Sequence, residues 1–350
     1  MRNFETHHFV DHERISEAPI LSAPRPVYLQ DWWQSAARSD HPHSVIDVER
    51  DGRRLGGISF VTRRNKIGAR IGHDLFWTHL GGPTLADGLT PDEQRSVITE
   101  IVERLPRRVS FRFMCDSGLD YADSLREEML KAGFSWERHP TFLQHPGDVG
   151  VLERMKAKHR THIKAGLKRL AVTDGTSQEF IDFYASNLVA GSHSPLHLAK
   201  AILDKGLQRG RARVFFALNK SGETGLNRID AAIACAWDEQ RYYYWLSRRR
   251  IHRPDAPKVD SIATKLLILA AIEHAGQLGL VFDADCPETV GGRALFETVF
   301  GFTRIEYRDV YIRRTAITAF YDRSIPGLKR FIKTVFPNAP LKIVDTDGPR

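Results

Sequence analysis

Three acids crowd one short stretch of the chain: Asp283, Asp285 and Glu288. The residues before them, Leu280-Val281-Phe282, read as a buried strand, so the acids gather where that strand gives way to a loop. Acids this close raise one another's pKa values, which suits a general base working at neutral pH. The same trio could bind an ammonium group, or Asp285 could cap the next turn ahead of Gly291-Gly292. No further carboxylates stand nearby, so a metal site is not expected here. Tyr242, Tyr243 and Tyr244 form a second constellation. Side chains alternate across a strand, so at least one of these phenols faces away from the core; Tyr244 is the candidate for a proton donor or a ligand platform. Cys115, Cys235 and Cys286 are far apart and odd in number, which excludes a disulfide framework and a thiolate zinc site.

Cations form the third constellation. Residues 1–150 carry 19 Lys and Arg against 22 Asp and Glu, whereas residues 151–350 carry 32 against 21, and the whole chain stands at +8. A one-sided basic field attracts polyanions, whether nucleic acid, a nucleotide-bearing ligand or an anionic surface. Its densest stretch is a helix expected over 152–170. Leu152, Met155, Ile163, Leu167 and Leu170 keep helical spacing, and Lys156, Arg160, Lys164 and Lys168 form an i,i+4 ladder of like charge. Such a ladder costs helix stability unless an anion lies along it. A second basic run, Arg248-Arg249-Arg250 with Arg253 and Lys258, follows the tyrosine strand.

The elements that must position these residues are legible along the chain. The 350 residues are 42% hydrophobic and 27% charged, values of a globular chain long enough for two domains. No apolar run approaches the roughly 20 residues of a membrane helix, and Met1-Arg2-Asn3-Phe4-Glu5 has no apolar core for a secretory signal. A cytoplasmic protein is expected. Residues 1–43 read as irregular. Strand-like runs at 44–49 and 57–61 flank an Asp51-Gly52 turn, a hairpin signal continued by Asp74-Leu75-Phe76-Trp77. A helix over 91–105 opens with Thr90 as cap, Pro91 at its first position and Asp92-Glu93 in its first turn. A strand near 109–113, a helix over 124–132 and a strand into Phe142-Leu143 complete an α+β first half. After the basic helix come helices over 178–189 and 197–208, strands at 213–218, 231–237 and 241–246, a long apolar helix over 261–278, the strand ending at Asp283, a helix over 294–300 and a strand over 302–313.

This order resembles the GNAT acyltransferase fold. Thr141-Phe142-Leu143, the basic run 156–165, Tyr243-Tyr244-Trp245-Leu246 and Phe296-Glu297-Thr298-Val299-Phe300-Gly301-Phe302 are similar to FemABX-type proteins, which are tandem-GNAT transferases. The likeness is in motif over 139–172 and 240–305, and topological elsewhere. It implies two GNAT-like domains of mixed sheets flanked by helices: 1–150, in which catalysis has been lost, and 173–314, which carries the active site. Residues 151–172 would connect them and 315–350 would pack back on the first.

The resemblance also implies an acyl or aminoacyl group moved from acyl-CoA or aminoacyl-tRNA to an amine or hydroxyl of a small molecule, sugar or peptide, with no tightly bound cofactor. In such sites a backbone N–H where adjacent strands splay stabilises the oxyanion, here near Tyr243–Leu246. Asp283, Asp285, Tyr244 and His193, the last in a loop that overhangs the cleft in this fold, become the catalytic candidates. Lys156, Arg160, Lys164, Arg248, Arg249, Arg250 and Lys258 become the donor-binding candidates. Glu288, Phe296 and Glu297 become the substrate-binding candidates. Glu297 stands where the aminoacyl-tRNA branch has Lys, and no glycine lies between Leu246 and Ile262, where a CoA cradle is glycine-rich. The alternative from another class is a non-catalytic nucleic-acid-binding protein on the same fold, stacking bases on Trp32, Trp33, Trp77, Trp237 and Trp245.

Overall fold

The computed structural model describes residues 25–38, 42–65, 68–188, 195–220, 225–251, 259–287 and 289–320. Its strands are β1 (Ser44–Arg50), β2 (Arg53–Arg64), β3 (Arg70–His73), β4 (Thr84–Leu85), β5 (Ser110–Asp116), β6 (Ser135–Gln144), β7 (Leu170–Asp174), β8 (Ala212–Asn219), β9 (Ile229–Trp237), β10 (Arg241–Arg249), β11 (Val281–Asp283) and β12 (Arg304–Arg313). The helices are α1 (Asp31–Arg38), α2 (Pro91–Arg104), α3 (Ala122–Lys131), α4 (Val151–Arg154), α5 (Ala157–Arg169), α6 (Ser177–Ser186), α7 (Leu196–Gln208), α8 (Ala263–Gln277) and α9 (Val290–Ala294). A 3-10 turn, Val27–Leu29, precedes α1 and a π-helical turn, Leu295–Val299, follows α9.

Local chemistry explains much of this. Asp51 and Gly52 both take positive φ, the geometry that closes the β1–β2 hairpin with the strands' own twist. Thr90 and Glu93 form a reciprocal capping box at the start of α2. Thr176 and Glu179 do the same for α6. Four sequence expectations are corrected. Residues 31–38, expected to be irregular, form a helix whose Trp33, Ala36 and Ala37 are buried. Asp74 to Trp77 is not strand, and Trp77 takes φ 65. The basic helix breaks at Met155 and Lys156, both extended, so Lys156 is the N-cap of α5 and not a rung of a continuous ladder. The strand expected to close the second half, β12, lies between β5 and β6 of the first.

One mixed sheet runs through both halves, in the order β1-β2-β3-β5-β12-β6-β11-β10-β9-β8-β7, with β4 paired to β2. The halves meet where β6 pairs β11, Phe282 opposite Gln144 and Asp283 opposite Leu143. Around β1–β5 a core of Ile98, Ile101, Phe111 and Phe113 packs under α2 and α3. One face of the second half packs on α1, α6 and α7 through Trp33, Phe180, Leu198, Tyr243 and Trp245. The other packs on α5 and α8 through Tyr242, Ile262, Leu267, Phe282 and Phe296. Among the described residues no helix is long and apolar enough to cross a membrane. Thr315 and Thr318, after β12, hydrogen-bond Ser110 of β5.

Candidate functional site

Parallel β10 and β11 are paired from Arg241–Val281 to Tyr243–Asp283. There β11 ends, while β10 runs on to Arg249. On its other side β10 pairs β9 with a shift of register: Tyr243 faces Ala236, but Leu246 faces Ala234. Tyr244 and Trp245 together oppose a single residue, a β-bulge. The sheet therefore opens beside β10 from Tyr244 onward, and the bulge re-aims its backbone at that point.

Asp283, at the end of β11, is fully buried. It takes Arg308 as an ion-pair partner, Arg241 at 3.2 Å and the Thr141 hydroxyl at 2.5 Å, and it accepts the Asp285 N–H at 2.9 Å. Burial works to raise its pKa, but the two guanidinium groups, the hydroxyl and the N–H outweigh it and hold the carboxyl below its usual value. The upward shift expected of clustered acids is therefore not found. Asp283 is an ionised structural anion, and its charge continues through Arg308 to Asp116 at 2.6 Å and through Arg241 to Glu306 at 2.8 Å.

Asp285 differs. It and Cys286 both take positive φ, 56° and 54°, an uncommon conformation for two consecutive non-glycine residues. The turn swings the Asp285 carboxylate away from Asp283. It accepts the Tyr28 hydroxyl at 2.6 Å and lies 2.5 Å from His79 Nδ1, with only 3% of its side chain exposed. The His79 side chain is 30% exposed. A histidine donating from Nδ1 to a carboxylate is held in the tautomer whose basic lone pair is on Nε2. The Tyr28 ring stacks on His79 at 5.7 Å and meets Tyr243 at 5.0 Å, which ties the dyad to the strand opening. Burial, then the Asp285 charge, push the Tyr28 phenol well up, so it serves as a neutral donor. Residue reading missed both Tyr28 and His79: the partners lie 257 and 206 positions from Asp285. The only local cue was a histidine just before the Gly81-Gly82 turn.

Tyr244 is half-buried on the opposite face of β10 from Tyr243, its ring edge on Phe296 at 6.1 Å, and burial raises its phenol. Phe296 is buried among Phe142, Phe300 and Phe302, so it is core and not a substrate contact. Glu297 beside it is exposed. Among the basic candidates, Lys156 and Lys164 are exposed on α5. Arg160 instead donates to the carbonyls of Glu153 and Met155, at 3.0 and 2.8 Å, bridging the α4–α5 break. Arg248 donates to Asn187 O at 2.8 Å and lies over the Tyr184 ring. Arg249 is exposed and donates to Val259 O at 3.2 Å. Arg250 is buried in an ion pair with Asp230 at 2.8 Å, which corrects its reading as a surface phosphate ligand. His193, Lys258 and Glu288 lie outside the described residues. Gly166 lets α5 approach α8 closely; a Cβ there would stand 2.6 Å from Ile262. The approach brings Lys158, His159 and His162 together with Lys265 in the first turn of α8. Burial, then those neighbouring cations, lower the His159 pKa. Among the described residues no group of three His, Cys, Asp or Glu side chains is placed to hold a metal.

Comparison with protein-family models gives no match, and comparison with curated proteins gives none either. Solved structures do match. A crystal structure of FemX aligns at TM-score 0.50 and 12% identity, over 80% of this chain and 90% of that one. A tandem GNAT protein from the clavulanic acid biosynthesis pathway aligns at TM-score 0.51 and 12% identity, over 83% and 90%. Both alignments run through the two halves of the sheet, so their shared architecture is that of the whole described molecule: this chain has a FemX-like tandem GNAT fold.

Proposed function

We propose that the protein is an acyltransferase, moving an acyl or aminoacyl group from an activated donor to an amine or hydroxyl. The observation that carries this is the coincidence of a parted, bulged β10 with His79 held by Asp285, the carboxylate two residues beyond the end of β11. Acyl transfer needs three things at one place: a proton acceptor for the incoming nucleophile, a donor for the tetrahedral oxyanion and room for the acyl carbonyl. Backbone N–H groups at the bulge supply the second and the parting supplies the third. His79 supplies the first, accepting the proton at Nε2 while Asp285 stabilises the imidazolium. The new C–N or C–O bond forms as that proton leaves, and the tetrahedral species collapses by breaking the bond to the donor's sulfur or oxygen.

The two faces of β10 divide the substrates. His79 and Tyr28 stand with Tyr243 on the α1–α7 face, where the acceptor enters. The exposed cations of α5 and Lys265 stand on the α8 face, where a polyanionic donor would rest, CoA and tRNA being the two classes that fit. As a nucleic-acid binder without chemistry the chain would have to use its tryptophans as stacking platforms, but Trp33, Trp77, Trp237 and Trp245 are buried.

Incubation of the protein with acyl-CoAs and charged tRNAs, each with amine and hydroxyl acceptors, followed by mass spectrometry, tests the reading. A mass increase on an acceptor that disappears with His79→Ala is the expected result. Absence of transfer from both donor classes overturns it. Persistence of polyanion binding without any transfer returns the non-catalytic alternative.

A further inference from the structure

The turn that carries His79 is pinned residue by residue to three different elements. The Trp77 carbonyl accepts the Trp245 Nε1–H of β10 at 2.8 Å. The Thr78 hydroxyl accepts the Trp33 Nε1–H of α1 at 3.1 Å. His79 Nδ1 meets the Asp285 carboxylate beyond β11. A fourth bond runs outward: Trp77 Nε1–H donates to the Pro195 carbonyl, just before α7, at 2.9 Å. The two donor rings of the frame, Trp33 and Trp245, are buried and meet edge-on at 4.8 Å. Trp33 meets Tyr28 in the same way at 4.8 Å, and Tyr28 is the ring that stacks on His79.

The turn is also strained. Trp77 takes φ 65, a conformation that glycine adopts freely and a bulky side chain rarely does. Strain of this kind persists only where the surroundings over-determine it, and it gathers at functional sites. Here two bonds hold Trp77, one through its carbonyl and one through its indole. The anchor on β10 has a particular place. Tyr243 and Trp245 alternate onto the α1–α7 face, and Leu246 joins them there because Tyr244 and Trp245 share one opposing position on β9. Trp245 is thus one of the two bulged residues. The strand segment that parts the sheet is the same segment that holds the His79 turn.

We propose that Trp245 is a positioning residue for His79, with Trp33 as the second anchor: their indole N–H groups fix the Trp77-Thr78 turn so that His79 presents Nδ1 to Asp285. Both rings are buried behind the turn, so they act through His79 and not on a substrate. The inference rests on the reading of His79 as the proton acceptor and adds what sets it. Because Trp245 belongs to the bulge, the strand that would receive the acyl carbonyl also orients the base, and a shift of β10 at that point reaches His79 through one hydrogen bond and one peptide turn.

The ring nitrogens of His79 report the anchor without any turnover. Nitrogen NMR of the full chain labelled at histidine, at a pH where the imidazole is neutral and with His79→Ala to assign the signal, separates Nδ1–H from Nε2–H. The expected result is Nδ1–H in the wild type and a mixture of tautomers in Trp245→Phe, which keeps a ring and loses the N–H. Trp237→Phe, the same truncation on the other face of the sheet, should leave His79 unchanged. In turnover, Trp245→Phe is expected to lower kcat about tenfold or more with the acceptor KM little changed, and to cost nothing further in a His79→Ala background. A folded Trp245→Phe protein with the wild-type tautomer, or equal losses in both backgrounds, overturns the proposal. If that variant does not fold, Thr78→Val, isosteric and without an acceptor for Trp33, is expected to mix the tautomers in the same way, and pure Nδ1–H there overturns it. If no donor is turned over at all, the acyltransferase reading falls, while the tautomer measurement still decides the anchor.

Discussion

Two aspartates two residues apart carry opposite assignments, and their surroundings decide which is which. Asp283 is enclosed by Arg308, Arg241 and Thr141, whereas Asp285 is turned by a left-handed backbone onto Tyr28 and His79. Removing the first charge should therefore destabilise the fold and removing the second should slow a reaction. Asp283→Asn removes the buried anion shared by Arg308 and the half-buried Arg241, leaving each with a single carboxylate, Asp116 or Glu306, and is expected to cost about 3–5 kcal/mol in urea unfolding. The sign of its pH effect follows from the depressed pKa. The ionised form is favoured by folding, so the stabilisation is complete above the unfolded value near 4 and disappears as pH falls through the lower folded value. Acid unfolding of the variant should lack that component. His79→Ala is expected to lower kcat by about 10²–10⁴, the range of a general base, with urea midpoints little changed. Asp285→Asn should lower kcat as well and shift the pH profile, because the imidazolium loses its carboxylate; an unaltered profile would remove Asp285 from the mechanism.

At the scale of elements, the approach of α5 to α8 decides where the cations sit. Gly166 is the position that permits it, since any Cβ there meets the Ile262 side chain at 2.6 Å. Gly166→Val should cost about 1–3 kcal/mol by overpacking. Polyanion binding should fall with it, because Lys158 and Lys164 move away from Lys265. A variant with intact affinity would show that the two helices need not be close for the donor to bind. The break at Met155 and Lys156 matters in the same way. It takes Lys156 out of the like-charge ladder that the run of residues implied, and it turns Arg160 inward onto backbone carbonyls, leaving Lys164 and Lys168 as the exposed cations of that row.

At the scale of the whole molecule, the continuous sheet binds both halves into one platform. β12 returns from the second half to lie between β5 and β6, and the Asp116–Arg308–Asp283–Arg241–Glu306 chain of charges crosses the same junction. The charge imbalance between the halves should appear in binding kinetics and equilibria. Affinity for tRNA is expected to fall steeply and log-linearly with salt, with a shallower slope after Lys156 and Lys164 are changed to Gln, whereas CoA affinity should respond less. Equal, shallow slopes for both ligands would exclude an extended RNA contact.

What could be read from residues alone was local. The Asp51-Gly52 hairpin, the Thr90 cap of α2, the alternation of the tyrosine strand and the cationic second half each depend on neighbours a few positions apart, and periodicity and capping chemistry report them directly. The order of elements then suggested the fold. The dyad was hidden, because Tyr28, His79 and Asp285 are joined by nothing shorter than the closed sheet. The fate of Asp283 was hidden for the same reason: Arg308 reaches it only after β12 crosses back. Composition placed acids and cations in the chain, and long-range packing decided which of them are buried as pairs and which are left facing the opening.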